Sequence, residues 1–248
     1  MHVFGVDVGG SGVKGAPVDL ETGALVGERL RIPTPQPSTP AAVASAIVEI
    51  VQAHGWSGPV GVTIPGVVRA GVIETAANID NGWVGLDAAA MLSDRLEMPA
   101  TILNDADAAG LAEARYGAAR GVDGVVILLT FGTGIGSAYL HNGRLIPNTE
   151  LGHLIFKGQK AEHYAAGRLV KRGDLDIDWW AARVNELLAY LEELFWPDLF
   201  VVGGGISKRF ELYSHQFTTQ ARIVPAVLRN QAGIVGAAFA ASIGERHE

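Results

Sequence analysis

Asp7-Val8-Gly9-Gly10-Ser11-Gly12-Val13-Lys14-Gly15 follows directly on a short apolar run, Val3–Val8, and carries four glycines. An apolar run of that length, closed by a carboxylate and a double glycine, reads as a buried strand entering a tight turn. Gly12–Asp19 is the returning strand. Glycine has no Cβ, so it admits positive φ and lets an anion approach the backbone N–H groups. Lys14 adds a point charge, and Asp7, at the strand end, suits Mg2+ held through water. The Gly-Lys-Ser/Thr ending of a Walker loop is missing. Taken alone, the stretch is equally well a bare hairpin turn.

The pattern recurs. Gly124–Thr130 is an apolar strand, Phe131–Gly136 a glycine turn and Ser137–His141 a returning strand that meets another turn at Asn142-Gly143. Thr130-Phe131-Gly132-Thr133-Gly134-Ile135-Gly136-Ser137 follows the logic of the first loop, with the Thr130 and Thr133 hydroxyls as extra donors. A dinucleotide fingerprint would need a helix directly after the glycines, and here a strand follows. Two such loops form a clamp for neighbouring phosphates. A third run, Gly203-Gly204-Gly205, follows the strand Asp198–Val202 and precedes a helix. It suits either a phosphate or nucleoside at a helix N-terminus or a strand–helix turn that needs tight packing. The likeness between the first two units is architectural, since their sequences share little.

Around these loops strands and helices alternate, which predicts an α/β chain. Leu25–Ile32 reads as a strand after the turn Glu21-Thr22-Gly23, and Pro33–Pro40 as a rigid connector. Ala41–His54 reads as a helix capped by Thr39 with Pro40 in its first turn. Pro59–Ile64 and Ala100–Leu103 read as strands; Leu86–Leu96, Asp105–Tyr116, Lys160–Arg172, Trp179–Trp196 and Ile234–Ile243 read as helices.

Composition narrows the function classes. The 248 residues are 48% hydrophobic and 18% charged, as in a folded globular chain. The net charge of −7 argues against a nucleic-acid binder. With no cysteine, disulfides and thiolate metal sites are excluded. No signal peptide and no membrane span is expected, so the cytoplasm is the default location.

The acceptor side lies elsewhere. Asn104-Asp105-Ala106-Asp107 stands where a strand hands over to a helix, and strand ends of α/β sheets are where ligands bind. A carboxylate there can take the proton of an attacking hydroxyl, and Asp105 is the candidate base. The competing reading is a helix cap, which suits Asp107 better. Thr149-Glu150-Leu151-Gly152-His153, with Glu162 further on, offers acidic and imidazole groups for neighbouring sugar hydroxyls, and Asn78 and Asn104 add amides. The Glu-x-x-His spacing lacks the second ligand pair of a zinc site.

Together these motifs resemble the ROK sugar kinases of the actin/hexokinase superfamily, over nearly the whole chain. The resemblance implies a two-lobed actin/hexokinase-like, ribonuclease H-like α/β fold with a central cleft. Residues 1–106 plus 232–248 would form a small lobe and 107–231 a large one. It implies that Asp7–Gly15 is the first phosphate motif, with Gly9, Gly10, Ser11, Gly12 and Lys14 at the phosphate. Thr130, Gly132, Thr133 and Gly134 belong to the second, and Gly203, Gly204 and Gly205 to the adenosine side. Asp105 matches the catalytic base. Glu150, His153 and Glu162 match sugar-binding residues, with Gly66, Asn78 and Asn104 completing the pocket.

Ile102–Glu113, Leu129–Ala138, Ile146–Glu150, Trp196–Phe200 and Ala232–Ala238 narrow the resemblance to the polyphosphate-using glucokinases of that family. That group makes glucose 6-phosphate from glucose and inorganic polyphosphate, in some members also from ATP or GTP, with Mg2+. The absence of cysteine agrees with that group and removes the structural zinc of other ROK glucokinases. A homodimer is implied by the family, and neither nucleic acid nor a membrane is an expected partner. A long polyanion needs a cationic track, for which Lys14, Arg144, Lys157, Lys160, Arg168, Lys171, Arg172, Lys208 and Arg209 are candidates. Phe156–Arg183 departs from the group's pattern. The alternatives are an ATP-dependent kinase for glucose, mannose or an N-acetylhexosamine, a sugar-sensing regulator, and an actin-like ATPase. The first phosphate loop at residue 7 leaves no room for a regulator's helix-turn-helix module, and Asn104, Asp105, Glu150 and His153 argue against the ATPase.

Overall fold

The structure is a computed structural model that describes residues 1–244. It divides into two compact units, Met1–Ala112 with the chain from Gln231 onward, and Glu113–Asn230. Each holds its own five-stranded mixed sheet and its own apolar core.

In the first unit β1 (His2–Gly9) turns back into β2 (Gly12–Asp19), which pairs with β3 (Leu30–Ile32). Helix α1 (Pro40–Ala53) starts as expected, with the Thr39 hydroxyl accepting from the Ala42 N–H and Pro40 in the first turn. β4 (Val60–Ile64), the small hairpin β5 (Val68–Arg69) and β6 (Val72–Ile73), helix α2 (Ala88–Leu96) and β7 (Ala100–Asn104) follow. The sheet order is β3-β2-β1-β4-β7, antiparallel through β1 and parallel beyond it. Phe4, Val6, Ile47, Val62 and Trp83 fill the core beneath it.

Helix α3 (Asp105–Tyr116) crosses from one unit into the next, so the division lies inside this helix and not at residue 106. Glu113 marks the change. Its fully buried carboxylate accepts from the N–H groups of Ala118 and Leu228, both in the second unit, at 2.7 Å each.

The second unit repeats the topology. β8 (Val125–Phe131) turns into β9 (Ile135–His141), which pairs with β10 (Arg144–Ile146) through the Asn142-Gly143 turn, both residues at positive φ. The hairpin β11 (Ile155–Phe156) and β12 (Gln159–Lys160) leads to helices α4 (Ala161–Ala165), α5 (Arg168–Lys171) and α6 (Ile177–Phe195). β13 (Leu199–Gly203), helix α7 (Phe210–Tyr213) and β14 (Arg222–Pro225) complete it. The order β10-β9-β8-β13-β14 again has an antiparallel half and a parallel half. Phe131, Trp180 and Tyr213 stack edge to face in its core. The chain then returns to the first unit in α8 (Ala232–Ile243), which packs on β1 and β4.

Three expected secondary-structure elements are corrected. The strand expected over Leu25–Ile32 is only β3, because Gly27 sits at φ +79 and Leu25 makes an isolated bridge to Val18. The helix expected over Lys160–Arg172 is two short ones. It breaks at Ala166-Gly167, where a Cβ on Gly167 would come within 2.7 Å of the Phe131 carbonyl. The helix expected after Gly203-Gly204-Gly205 opens as a five-residue 3-10 turn, Gly205–Arg209, with α7 only four residues long.

Candidate active site

The first loop is the hairpin turn Gly10-Ser11, closed by the Gly9 and Gly12 pair. Asp7 pairs across the sheet with Lys14 on one side and Thr63 on the other. The side chains follow that register. Lys14 Nζ donates to Asp7 Oδ2 at 3.1 Å and Thr63 Oγ1 to Asp7 Oδ1 at 3.1 Å, so the carboxylate is clamped from both neighbouring strands. Arg31 on β3 donates to the Ser11 carbonyl at 2.6 Å, and Thr34 donates to the Gly9 carbonyl. Arg31 and Thr34 escaped sequence reasoning. The signal lay in the strand pairing that sets Arg31 opposite Lys14.

Positive φ does not account for the glycines of this loop, and crowding accounts for Gly12 alone. Gly9, Gly10 and Gly12 are absent from the positive-φ residues. A Cβ on Gly12 would come within 2.6–2.9 Å of the Arg31 guanidinium, whereas one on Gly10 would meet nothing nearer than 3.7 Å, the Asn78 carbonyl.

At the end of β7, Asn104 is 7% exposed and caps α3, its Oδ1 accepting from the N–H groups of Ala106 at 2.7 Å and Asp107 at 3.0 Å. Its amide nitrogen donates to the Gly66 carbonyl at 2.9 Å, which leaves its second N–H for another acceptor. Asn104, and not Asp105, is the residue that caps the helix. The Asp105 side chain is exposed, with Oδ1 2.9 Å from the Ala106 N–H. Asp107 lies buried in the first turn. Asn78 is exposed at φ +62 beside Gly10.

In the second unit the strands run further than expected, which trims the turn to Gly132-Thr133-Gly134. Gly132 is exposed, and a Cβ there would meet nothing within 4 Å. The turn is backed by α5, where the Arg168 N–H donates to the Gly132 carbonyl at 2.9 Å and its guanidinium to the Thr133 carbonyl. Gly203 lies opposite Thr130 in the parallel pairing of β13 with β8. Gly204 sits at φ +83, where a Cβ would overlap the Phe131 backbone. Packing therefore accounts for Gly204, while Gly205 meets open space.

Glu150, His153 and Glu162 gather beside this turn. His153 Nδ1 is 3.9 Å from Glu150 Oε2, and its Nε2 is 3.9 Å from Glu162 Oε1. Ser137 on β9 sets Glu150 in place. Its hydroxyl donates to the Thr149 carbonyl and accepts from the Leu151 N–H at 2.9 Å. Gly152 packs so closely on Ile135 that a Cβ would overlap its carbonyl. A Cβ on Gly134 would run into Glu162 Oε2, which places the Gly132–Gly134 turn and the acidic group side by side. Burial pushes the Glu150 carboxyl above its ordinary value; the His153 charge opposes this and Glu162 adds to it. Among the described residues no group of three or more His, Asp or Glu is placed to hold a metal ion.

The expected cations divide into two kinds. Lys157 is bound to Glu186 and lies 3.4 Å from the Tyr164 hydroxyl, so it is not a free track residue. Lys14 is paired with Asp7. Lys171, Arg172, Lys208 and Arg209 are exposed. They stand four and five residues beyond Gly167 and Gly204, both of which pack on Phe131. Among the described residues no helix is long and apolar enough to cross a membrane.

Comparison with known proteins places this geometry in a family. The ROK family model matches residues 3–168. A polyphosphate glucokinase of Mycobacterium tuberculosis is 53% identical over 247 residues, 99% of this chain and 93% of that protein. The crystal structure of an inorganic polyphosphate/ATP-glucomannokinase from Arthrobacter sp. strain KM superposes with a TM-score of 0.93 at 48% identity, covering 98% of this chain and 99% of the other. A ROK family glucokinase from Streptomyces griseus, in complex with glucose and AMPPNP, gives 0.84 at 26% identity, covering 98% and 100%. The neighbours share the actin/hexokinase-like fold. The chain belongs to the ROK family, as one of its sugar kinases.

Proposed function

We propose that this enzyme transfers the terminal phosphoryl group of inorganic polyphosphate to the 6-hydroxyl of glucose, giving glucose 6-phosphate and a chain one phosphate shorter. The observation that carries the reading is the contact between the Gly132–Gly134 turn and Glu162, which sets a phosphate grip beside an acidic hydroxyl-binding group. The near full-length likeness to polyphosphate glucokinases supports polyphosphate as the donor.

In the proposed reaction the glucose O6 attacks the terminal phosphorus, and the bond from that phosphorus to its bridging oxygen breaks. The electron pair stays on the shortened polyphosphate, and the O6 proton goes to Asp105. Glu150, His153, Glu162 and Asn104 bind sugar hydroxyls, with Gly66 and Asn78 completing that pocket. Gly9, Gly10, Ser11 and Gly12, and Thr130, Gly132, Thr133 and Gly134, present backbone N–H or hydroxyl donors to phosphate oxygens. Gly203 to Gly205 and the exposed Lys171, Arg172, Lys208 and Arg209 line the path of the donor tail.

A kinase of this family works with a divalent metal ion such as Mg2+. One carboxylate already held by Lys14 and Thr63 fits a hydrated ion bound through water, with phosphate oxygens as the remaining ligands. Bound there, the ion would neutralise charge on the transferring phosphoryl group. Asp7 is the residue proposed to hold it.

ATP as a second donor and mannose as a second acceptor are favoured by the polyphosphate/ATP-glucomannokinase likeness, and GTP as a further donor rests on the family resemblance alone. We read the protein as a cytoplasmic homodimer on family resemblance, which light scattering on the purified chain checks. A coupled glucose 6-phosphate assay with polyphosphate, ATP and GTP in parallel tests the donor. Turnover with ATP alone would replace this reading with that of an ATP-dependent hexokinase.

A further inference from the structure

We infer that Arg31, and not Lys14, is the cation with which the first loop meets the phosphate donor. The inference rests on the phosphotransferase reading above and adds a donor-binding residue to it. Lys14 is the cation that local sequence offers, but its ammonium is 3.1 Å from Asp7 Oδ2 and its charge is balanced there. Arg31 lies one strand further out, opposite Lys14 in the β2–β3 pairing. Its guanidinium reaches back over the turn, donating to the Ser11 carbonyl at 2.6 Å. It is exposed and forms no ion pair among the described residues.

A guanidinium has five N–H donors in a planar fork. One contact to a backbone carbonyl leaves the others for an anion. Two parallel donors fit two oxygens of one phosphate, a geometry that an ammonium cannot reproduce. Gly12 is the second sign. Neither positive φ nor backbone crowding explains a glycine there, because the atoms a Cβ would meet are those of Arg31, at 2.6–2.9 Å. Gly12 thus keeps open the place where the guanidinium lies, directly over the turn. The two exposed turn residues, Gly10 and Ser11, stand beneath a fixed, uncompensated positive charge. A terminal phosphate bound to their N–H groups falls within reach of it.

The test is binding and turnover on three variants of the full chain, Arg31→Ala, Arg31→Lys and Lys14→Ala. Calorimetry with inorganic tripolyphosphate gives the binding readout, and the coupled assay gives KM for donor and for glucose separately. We expect Arg31→Ala to weaken tripolyphosphate binding about tenfold or more and to raise the donor KM by a similar factor. The glucose KM should stay within about twofold, and added salt should affect the variant less than the wild type. Arg31→Lys should recover only part of the loss, and Lys14→Ala should weaken tripolyphosphate binding less than Arg31→Ala. Equal rises in donor and glucose KM, or full rescue by lysine, would reduce Arg31 to a brace for Ser11 or a generic charge and overturn the assignment. Wild-type binding of tripolyphosphate without transfer would sink the phosphotransferase reading and leave Arg31 standing. No tripolyphosphate binding by the wild type would overturn both.

Discussion

The two sheets have one topology and two different glycine turns. In each, an antiparallel hairpin carries the turn and two parallel strands follow. The first turn is two residues long and ringed by charge, with Asp7 clamped between Lys14 and Thr63 and Arg31 lying over Ser11. The second is three residues long, and its own side chains carry no charge. It is braced from behind by Arg168 and by Gly204, which packs on Phe131. The difference teaches a division of labour. The first turn presents charges, among them the Asp7 carboxylate proposed to hold the metal ion. The second presents a turn braced by the Arg168 guanidinium and lying next to the acidic group of Glu150, His153 and Glu162.

The largest effect should come from Asp105, the proposed base. Asp105→Asn should lower kcat by about 10^2 to 10^4-fold, the usual worth of a general base, while glucose still binds by calorimetry. Near-normal turnover would remove Asp105 from the mechanism. Next come the glycines of the second unit, where packing and ligand access can be separated. Gly204→Ala puts a Cβ on a residue at φ +83 against the Phe131 backbone. It should cost roughly 1–3 kcal/mol and lower Tm by about 2–10 °C. Gly132→Ala meets nothing within 4 Å, so Tm should hold within about 2 °C while the donor KM rises. If the two variants lost stability alike, the contrast between braced and open glycine would be wrong.

Much of this contrast was legible in the chain. Thr39-Pro40 announced α1, Asn142-Gly143 the β9–β10 turn, and the strand after Gly136 excluded a dinucleotide fold. Those signals are local, carried by turn and cap chemistry within a few residues. What escaped depends on neighbours distant in sequence. The break at Gly167 answers to the Phe131 carbonyl, Lys157 answers to Glu186, and Arg31 reaches Ser11 only because β3 pairs with β2. The role of Asn104 as cap, which leaves Asp105 exposed, likewise needed the side-chain geometry.

A smaller effect concerns the donor tail. Reversing charge at Lys171 and Arg172 should raise KM for long polyphosphate by about tenfold and for short chains by less, in initial rates at low salt. Equal effects at all lengths would remove these residues from the path. The smallest effect is a pH dependence in the acceptor group. Burial raises the Glu150 pKa, so the carboxylate is protonated at a higher pH than an ordinary glutamate. The glucose KM should therefore rise a fewfold as pH falls through the mildly acidic range, and Glu150→Gln should flatten that profile. The stability sign runs the opposite way. A carboxyl whose pKa is raised by folding binds its proton more tightly in the native state. Its contribution to stability is therefore present at acidic pH and lost as pH rises through the folded value. Glu150→Gln should make Tm less sensitive to pH across that window.

The central claim is that two unlike glycine turns serve one phosphoryl transfer from polyphosphate to glucose. Its most direct test is the formation of glucose 6-phosphate by the purified protein with glucose, Mg2+ and either polyphosphate or ATP. The account predicts turnover with polyphosphate that depends on Mg2+ and is lost in Asp105→Asn. Turnover with ATP and none with polyphosphate, at any chain length, would contradict it.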